Sequence, residues 1–324
     1  MAKQIIVTGA AGFIGRNAVC ELNAKGYRDL VLVDTLGRDE KWRNLRNLRY
    51  EDIVSPQAFL SQIDGGRFAD IQAIIHLGAC SATTERDADY LLENNYHYTR
   101  RLCEFSLSHG IRFIYASSAA TYGDGSLGYS DEDEVTAALK PLNMYGYSKH
   151  IFDLWALKSG ALKQVAGLKY FNVFGPFEDH KGDMKSVVAK AYRQIKATGK
   201  VQLFRSYNPD YADGEQMRDF IYVKDAVAVT LAFLEDPQAN GLFNCGSGKA
   251  RTWKDLVTAV FHALGAPVNI EYIEMPEMLR GKYQYFTEAR MEKLHAAANV
   301  APFHSLENAI ADYVETHLNK LEQE

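Results

Sequence analysis

Three glycines at a fixed spacing constrain this chain more than any other feature. Gly9, Gly12 and Gly15 form a G-x-x-G-x-x-G pattern within Thr8-Gly9-Ala10-Ala11-Gly12-Phe13-Ile14-Gly15. The run follows a short apolar stretch, Ile5-Ile6-Val7, and opens an amphipathic stretch from Phe13 to Lys25. A strand that turns on glycines into a helix lets backbone approach a ligand closely. It also points the free N–H groups and partial positive charge of the helix start at an anion such as a pyrophosphate. An ordinary glycine-rich turn has the same composition, so the strand before and the helix after carry the reading.

The rest of the chain repeats this alternation. Apolar runs at Leu30–Val33, Ile71–Leu77, Phe113–Tyr115 and Val165–Phe174 are separated by longer helical patterns, such as Tyr90 to His109. Near-continuous apolar strands alternating with helices predict a parallel sheet covered on both faces. The right-handed crossover rule then gives an α/β, doubly wound sheet of Rossmann type. After Gly175-Pro176 the alternation becomes irregular. Lys200 to Glu215 reads as a loop, Arg218 to Val223 as a strand followed by a helix to about Glu235, and Asn269 to Ile273 as a further strand. Ser305 is placed to cap a last amphipathic helix. The predicted organisation is a dinucleotide-binding domain, residues 1–172 with 216–246, interleaved with a smaller α+β substrate domain, residues 173–215 with 247–324.

Composition excludes several classes. The chain has 324 residues, is 47% hydrophobic and carries a formal net charge of -5. With no long basic block, nucleic acid is excluded as a partner. No apolar stretch reaches the roughly 20 residues of a membrane helix. Met1-Ala2-Lys3-Gln4 leads straight into the first apolar run without a secretory leader, which predicts a cytoplasmic protein. Cys20, Cys80, Cys103 and Cys245 lack any C-x-x-C pairing. They read as small buried hydrophobes in a reducing compartment, with no metal site.

Three further features carry chemistry. Asp34 closes the second apolar run about 20 residues past the glycines, where an acid bonds ribose hydroxyls. Arg38, Lys41 and Arg43 follow it and suit a 2′-phosphate, or form a solvated surface cluster. Tyr145-Gly146-Tyr147-Ser148-Lys149 sets Tyr145 and Lys149 on one helical face, with Tyr147 on another. A tyrosine titrates near 10 and needs a neighbouring cation to exchange protons near neutrality, a charge Lys149 can supply. Ser118, just after the fourth strand, stands at the carboxyl edge where doubly wound sheets place ligands. It can bond a reacting carbinol or carbonyl oxygen.

The glycine loop, Ser117-Ser118-Ala119-Ala120-Thr121-Tyr122-Gly123 and the Tyr145/Lys149 pair resemble the extended short-chain dehydrogenase/reductases. His76-Leu77-Gly78-Ala79-Cys80-Ser81-Ala82-Thr83-Thr84-Glu85, Pro141 to Lys149 and Lys169-Tyr170-Phe171-Asn172-Val173-Phe174-Gly175-Pro176 narrow the match. So do His180-Lys181-Gly182 with Met184, Arg218 to Val223, Gly281-Lys282-Tyr283-Gln284 and Phe286-Thr287. Together they resemble the ADP-glycero-manno-heptose 6-epimerases, over nearly the whole chain. The resemblance implies inversion of one carbon of an ADP-heptose for lipopolysaccharide core synthesis, through transient oxidation with bound NADP rather than NAD. It implies Ser118, Tyr145 and Lys149 as the catalytic triad and Lys181 as a second acid/base. It implies a cofactor lined by Gly9, Gly12, Phe13, Ile14, Gly15, Asp34, Thr35, Lys41, Leu77, Gly78, Ala79, Cys80, Ser81, Asn94, Tyr145 and Lys149. It implies a sugar nucleotide held by Ser118, Asn172, Val173, Lys181, Phe204, Arg218 and Tyr283, and a homo-oligomer, pentamers being known in the family.

The chain departs from the family pattern at Asp183, where a small hydroxyl residue is familiar, at Lys190, where a histidine is, and in a longer loop from Arg205 to Gln216. These touch the substrate side. Rival readings are another nucleotide-sugar epimerase, dehydratase or reductase on the same fold, and a non-catalytic dinucleotide-binding regulator. A dehydratase carries an acid pair where this chain has Ala119 and Ala120. A regulator would have lost Tyr145 or Lys149.

Overall fold

The structure is a computed structural model and describes residues 4–38, 40–67, 70–280 and 283–321. Met1–Lys3, Gly281 and Lys282, all singled out above, lie outside the described residues. Twelve strands are described: β1 (Gln4–Thr8), β2 (Leu30–Val33), β3 (Asp52–Val54), β4 (Ile71–His76), β5 (Arg112–Ser118), β6 (Ala166–Tyr170), β7 (Asn172–Phe174), β8 (Val201–Phe204), β9 (Met217–Tyr222), β10 (Gly241–Cys245), β11 (Ala250–Thr252) and β12 (Ile270–Ile273). Seven of them form one sheet in the order β10-β6-β5-β4-β1-β2-β3, every pair parallel. The expected doubly wound, Rossmann-type sheet is present.

Alternation along each strand divides its side chains between two cores. Ile5 and Val7 of β1, Leu30 and Leu32 of β2 and Ile75 of β4 join one cluster. Ile6, Val31, Val33 and Ile74 join the other, on the opposite face. Strands buried on both faces have no polar side, which is why they read as continuous apolar runs. The strand order reverses at β1, with β2 on one side and β4 on the other. The carboxyl ends of β1 and β4 are therefore the switch point where such sheets open a crevice.

Two expected elements differ. Val165–Phe174 is two strands, because the chain kinks after Tyr170. The Phe171 N–H donates to the Cys245 carbonyl at 3.0 Å, and Val173 N–H turns back onto the Phe171 carbonyl at 2.9 Å. Asn172–Phe174 then pairs with β9 in a separate three-stranded sheet, β11-β9-β7. The apolar pattern runs on through the kink since both halves are packed. The expected loop after Lys200 begins with β8, parallel to β12. Val201 and Leu203 are buried and Gln202 is exposed, a period-two signal hidden by its polar surroundings. β9 lies on the dinucleotide side of the expected domain division yet pairs with β7 and β11, so the two parts interlock through that strand. All four cysteines are free thiols, but only Cys103 and Cys245 are buried; Cys20 is exposed and Cys80 half-exposed.

Beneath β5 and β6 lies a buried ion pair. Asp153 and Lys169 are both fully buried, Nζ to carboxylate 3.7 Å. Asp153 also accepts from Ser117 Oγ at 2.6 Å and Tyr115 OH at 3.0 Å. Lys169 donates to Thr121 Oγ1 at 3.0 Å and lies 4.6 Å from the Tyr122 ring centroid. Removing one member strands the other charge without solvent. Asp153→Ala is expected to cost about 3–5 kcal/mol in urea unfolding, and Asp153→Asn with Lys169→Met much less. A loss under about 1 kcal/mol for Asp153→Ala, the range of exposed pairs, would contradict this account.

Candidate active site

A cleft of about 770 Å3 opens at the switch point. Its walls come from the glycine loop, the ends of β2, β4 and β5, the start of the helix Met144–Ser159 and the β7–Ser186 segment. Every residue expected on the cofactor side lines it: Gly9, Gly12, Phe13, Ile14, Gly15, Asp34, Thr35, Lys41, Leu77 through Ser81, Asn94, Tyr145 and Lys149. Ser118, Asn172, Val173 and Lys181 line it too.

The described lining does not include Phe204, Arg218 or Tyr283. Arg218 is buried, and its guanidinium donates to the carbonyls of Met217, at 2.8 Å, and Gln284. It lies 5.7 Å from the Trp253 ring and 5.2 Å from that of Tyr283. The Trp253 indole N–H donates to Tyr283 OH at 2.9 Å. Trp253 itself faces the cleft, so this cluster adjoins the cleft through Trp253. Phe204 ends β8, paired with Ile273.

The glycines are explained by contact. Gly9 has φ +67, and a Cβ there would sit 2.7 Å from Gly78 N and 2.8 Å from Gly78 Cα. A Cβ on Gly15 would lie 2.1 Å from the Gly9 carbonyl oxygen. The helix Phe13–Ala24 starts from Gly12 with no side-chain cap and no acid in its first turn. Its first N–H groups thus face the cleft without a built-in anion, which fits a dinucleotide pyrophosphate. Asp34 accepts from Ala11 N–H and Thr35 N–H, each at 2.7 Å, and from Lys41 Nζ at 2.5 Å.

A hydrogen-bonded chain fixes the loop after β4. Thr99 Oγ1 donates to the Asn95 carbonyl at 2.6 Å and accepts from His76 Nε2 at 2.8 Å. His76 Nδ1 then accepts from Thr8 Oγ1 at 2.6 Å, which itself accepts from Gly78 N–H at 3.1 Å. This arrangement needs a neutral imidazole. Burial, with the nearby Lys149 charge, lowers the His76 pKa to about 3. Asn95, fully buried, accepts from Cys80 N–H at 2.8 Å and donates to the Cys80 carbonyl at 2.9 Å and Ser148 Oγ at 3.0 Å. It sits in the π-helical turn Leu92–His97 within an otherwise α-helical stretch, a wider turn frequent at functional sites. Sequence reasoning named Asn94 and passed over Asn95, Thr8 and His76. The available signal was a polar residue at the end of each apolar strand.

Asn143 caps the helix Met144–Ser159, accepting from Gly146 N–H at 2.8 Å. A Cβ on Gly146 would lie 2.7 Å from the Ala120 carbonyl oxygen, so the helix start presses on the turn after Ser118. Tyr145 thereby lines the cleft together with Ser118, while Tyr147 is 54% exposed on another face. Burial raises the Tyr145 pKa, partly offset by the nearby Ser118 hydroxyl. The Lys149 ammonium donates to the Ala116 carbonyl at 2.8 Å. Burial pushes the Lys149 pKa down to about 8, against the pull of Asp153 and Cys80.

Lys181 lies in the turn Asp179–Met184, its Nζ 5.1 Å from the Phe13 ring centroid. Burial lowers its pKa, Glu178 opposing and Lys190 assisting. His180 Nδ1 is 3.0 Å from Asn44 Nδ2, which donates to the Ala11 carbonyl at 2.9 Å. Asp183 is exposed and does not line the cleft, so this departure from the family pattern puts no carboxylate against an anionic ligand. Among the described residues no cluster of acids, histidines and cysteines could hold a metal, and no helix is long and apolar enough to cross a membrane.

A doubly wound sheet whose switch-point cleft gathers a glycine loop and a Ser–Tyr–Lys group defines a class of nucleotide-sugar enzymes. The chain belongs to the NAD dependent epimerase/dehydratase family, whose model matches residues 5–246. It is 59% identical over 314 residues to an ADP-L-glycero-D-manno-heptose-6-epimerase of Nitratidesulfovibrio vulgaris (strain DP4), covering 97% of both chains. It is 47% identical over 327 residues to the protein of the same name from Fusobacterium nucleatum subsp. nucleatum, covering 98% of both. The crystal structure of Helicobacter pylori ADP-L-glycero-D-manno-heptose-6-epimerase superposes with a TM-score of 0.82 at 26% identity, over 97% of this chain and 96% of that one.

The site predicts its own titration. Lys149 holds its proton below about pH 8 and loses it as the pH rises through that value. In protein labelled with 13C at lysine Cε, the resonance missing from Lys149→Arg is expected to titrate with a midpoint near 8. A midpoint at the ordinary lysine value of about 10.4 would contradict the burial described.

Proposed function

We propose that this chain inverts C6 of ADP-D-glycero-D-manno-heptose to give ADP-L-glycero-D-manno-heptose, for lipopolysaccharide core synthesis. The observation that carries the reading is one cleft facing Ser118, Tyr145 and Lys149 on one wall and Lys181 on another, beside a glycine loop. Curated relatives of that name match along the whole chain.

The residues that would hold a nicotinamide dinucleotide are the glycine loop and the N-terminus of its helix for the pyrophosphate, Asp34 and Lys41 for the adenosine ribose, and Lys149 for the second ribose. A nicotinamide bound there would supply reversible hydride exchange at C6, which inverts the carbon when the hydride is returned to the opposite face. Ser118 donates a hydrogen bond to the C6 oxygen, while Tyr145 removes its proton in one pose and restores it in reverse. Inversion requires the sugar to be presented twice, so Lys181, on the other wall, does the same in the second pose. A base must be within hydrogen-bond reach and near its own titration range. Burial brings the lysine toward that range.

NADP is the cofactor this site favours. The Asp34 carboxylate is already taken by two backbone N–H groups and the Lys41 ammonium. A 2′-phosphate would therefore meet a cation rather than a bare acid. Lys41 lines the cleft, whereas Arg43, paired with Glu40 and 5.9 Å from the Trp42 ring, does not. A cytoplasmic homo-oligomer is part of the same reading, supported by the exposed apolar side chains of Leu142, Met144 and Tyr147 at the start of one helix.

The test is mass spectrometry of the small molecules released when the purified protein is denatured, followed by turnover of ADP-D-glycero-D-manno-heptose. NADP or its reduced form should be released. Tyr145→Phe should keep the cofactor and lose at least about 10²-fold in kcat. Release of NAD alone would overturn the cofactor assignment, and no turnover by the wild type would overturn the substrate.

A further inference from the structure

We propose that Glu178 is a positioning residue for Lys181, holding it at the cleft by closing the neck of the turn that carries it. The proposal rests on the reading of Lys181 as the second acid/base.

None of the six residues Asp179–Met184 is buried. Besides the contacts of His180 with Asn44, Lys181 with the Phe13 ring and Asp179 with His317, the turn depends on its ends to set where Lys181 stands. Glu178 and Ser186 are those ends. The Glu178 carboxylate is completely buried and accepts from both the N–H and the hydroxyl of Ser186, each at 2.5 Å. A third bond comes from Tyr313 OH at 3.1 Å, in the helix Leu306–Tyr313. The Glu178 carbonyl accepts the Lys181 N–H at 3.0 Å. Ser186 also caps the helix Val187–Thr198 through Ala189 N–H at 3.3 Å, so the neck is tied to a rigid element. Next to it, Asp179 lies 2.8 Å from His317 Nε2, in the π-helical turn Val314–Leu318.

Glu178 does not line the cleft, whereas Lys181 and Ser186 do. Glu178 therefore acts on the reaction without touching the substrate, through the turn it closes and through its charge, which raises the Lys181 pKa; Ser186→Ala and Tyr313→Phe keep that charge and isolate the turn. A buried carboxylate that accepts three donors is chemically specific. Glutamine has the same shape, but its amide nitrogen cannot accept, so either the Ser186 N–H loses its acceptor or the Ser186 and Tyr313 hydroxyls must stop donating and turn to accept, and the charge is lost. A displacement of the base by about 1 Å is enough to cost on the order of 10²-fold in rate.

The experiment uses the holoenzyme and three variants, Glu178→Gln, Ser186→Ala and Tyr313→Phe, with Lys181→Met as comparator. Each ADP-heptose epimer is supplied separately, and reduction of the bound cofactor is followed in a single turnover. Amide hydrogen exchange is measured across 179–185 and across the glycine loop. Glu178→Gln is expected to keep its cofactor and KM while kcat falls about 10²-fold. The loss should fall on the epimer that Lys181→Met also fails to oxidise. Exchange should speed up in 179–185 and stay unchanged in the glycine loop. Should Glu178→Gln fail to fold, Ser186→Ala and Tyr313→Phe each remove one bond, keep the charge and should show the same selectivity in smaller degree. Equal loss on both epimers, or unchanged exchange in 179–185, would overturn the proposal. Normal epimerisation by Lys181→Met would instead overturn the second-base reading, and faster exchange in Glu178→Gln would still establish the clamp.

Discussion

Backbone resting on backbone, where Gly9 meets Leu77 and Gly78, is the contact on which the site depends. The two loops leave adjacent strands at the point where the strand order reverses. They approach so closely that a single Cβ on Gly9 would lie within 2.8 Å of three backbone atoms. Thr8 and His76 then lock the loops together from below, and Asn95 extends the lock to Cys80 and Ser148. The glycine loop, the loop after β4 and the helix bearing Tyr145 and Lys149 are thus one rigid unit.

Electrostatics follows from that rigidity. Burial disfavours charge on every ionisable group at the reacting end of the cleft: it raises Tyr145 and lowers Lys149 and Lys181. Two lysines near one cleft, each with reduced proton affinity, suit proton exchange better than permanent charge. Asp153 counteracts this for Lys149 from four residues along the same helix, and Glu178 does so for Lys181. Each lysine therefore has its own buried acid, and each acid is held by hydroxyl donors from neighbouring elements.

The sheet was legible because its strands are buried on both faces: Leu30–Val33 shows as an uninterrupted apolar run, and Ile71–His76 as one broken by the exposed Gln72 and ended by the buried His76. β3, with three half-buried residues, and β10, which carries the buried polar Asn244, give no such run and went unseen. Residues whose chemistry depends on sequence spacing, Tyr145 with Lys149 and the three glycines, fell where expected. Those whose role depends on tertiary contact did not. Glu178 looks like any surface acid until Ser186 and Tyr313 are brought against it, 8 and 135 residues away. Arg218 and Tyr283, expected on the sugar nucleotide, pack against Trp253, which lines the cleft, a placement that no linear pattern encodes.

The central claim is that the carbon being inverted is itself oxidised, inside a cleft whose groups move protons only on oxygen. The residues that follow Ser118 are Ala119 and Ala120, not an acid pair, which leaves Lys181 as the one candidate base to enolise a neighbouring carbon. Epimerisation in deuterium oxide, with the product analysed by mass, tests this most directly. The account predicts product of unchanged mass at every carbon-bound position. Deuterium from solvent at C6, or on a carbon next to it, would contradict it.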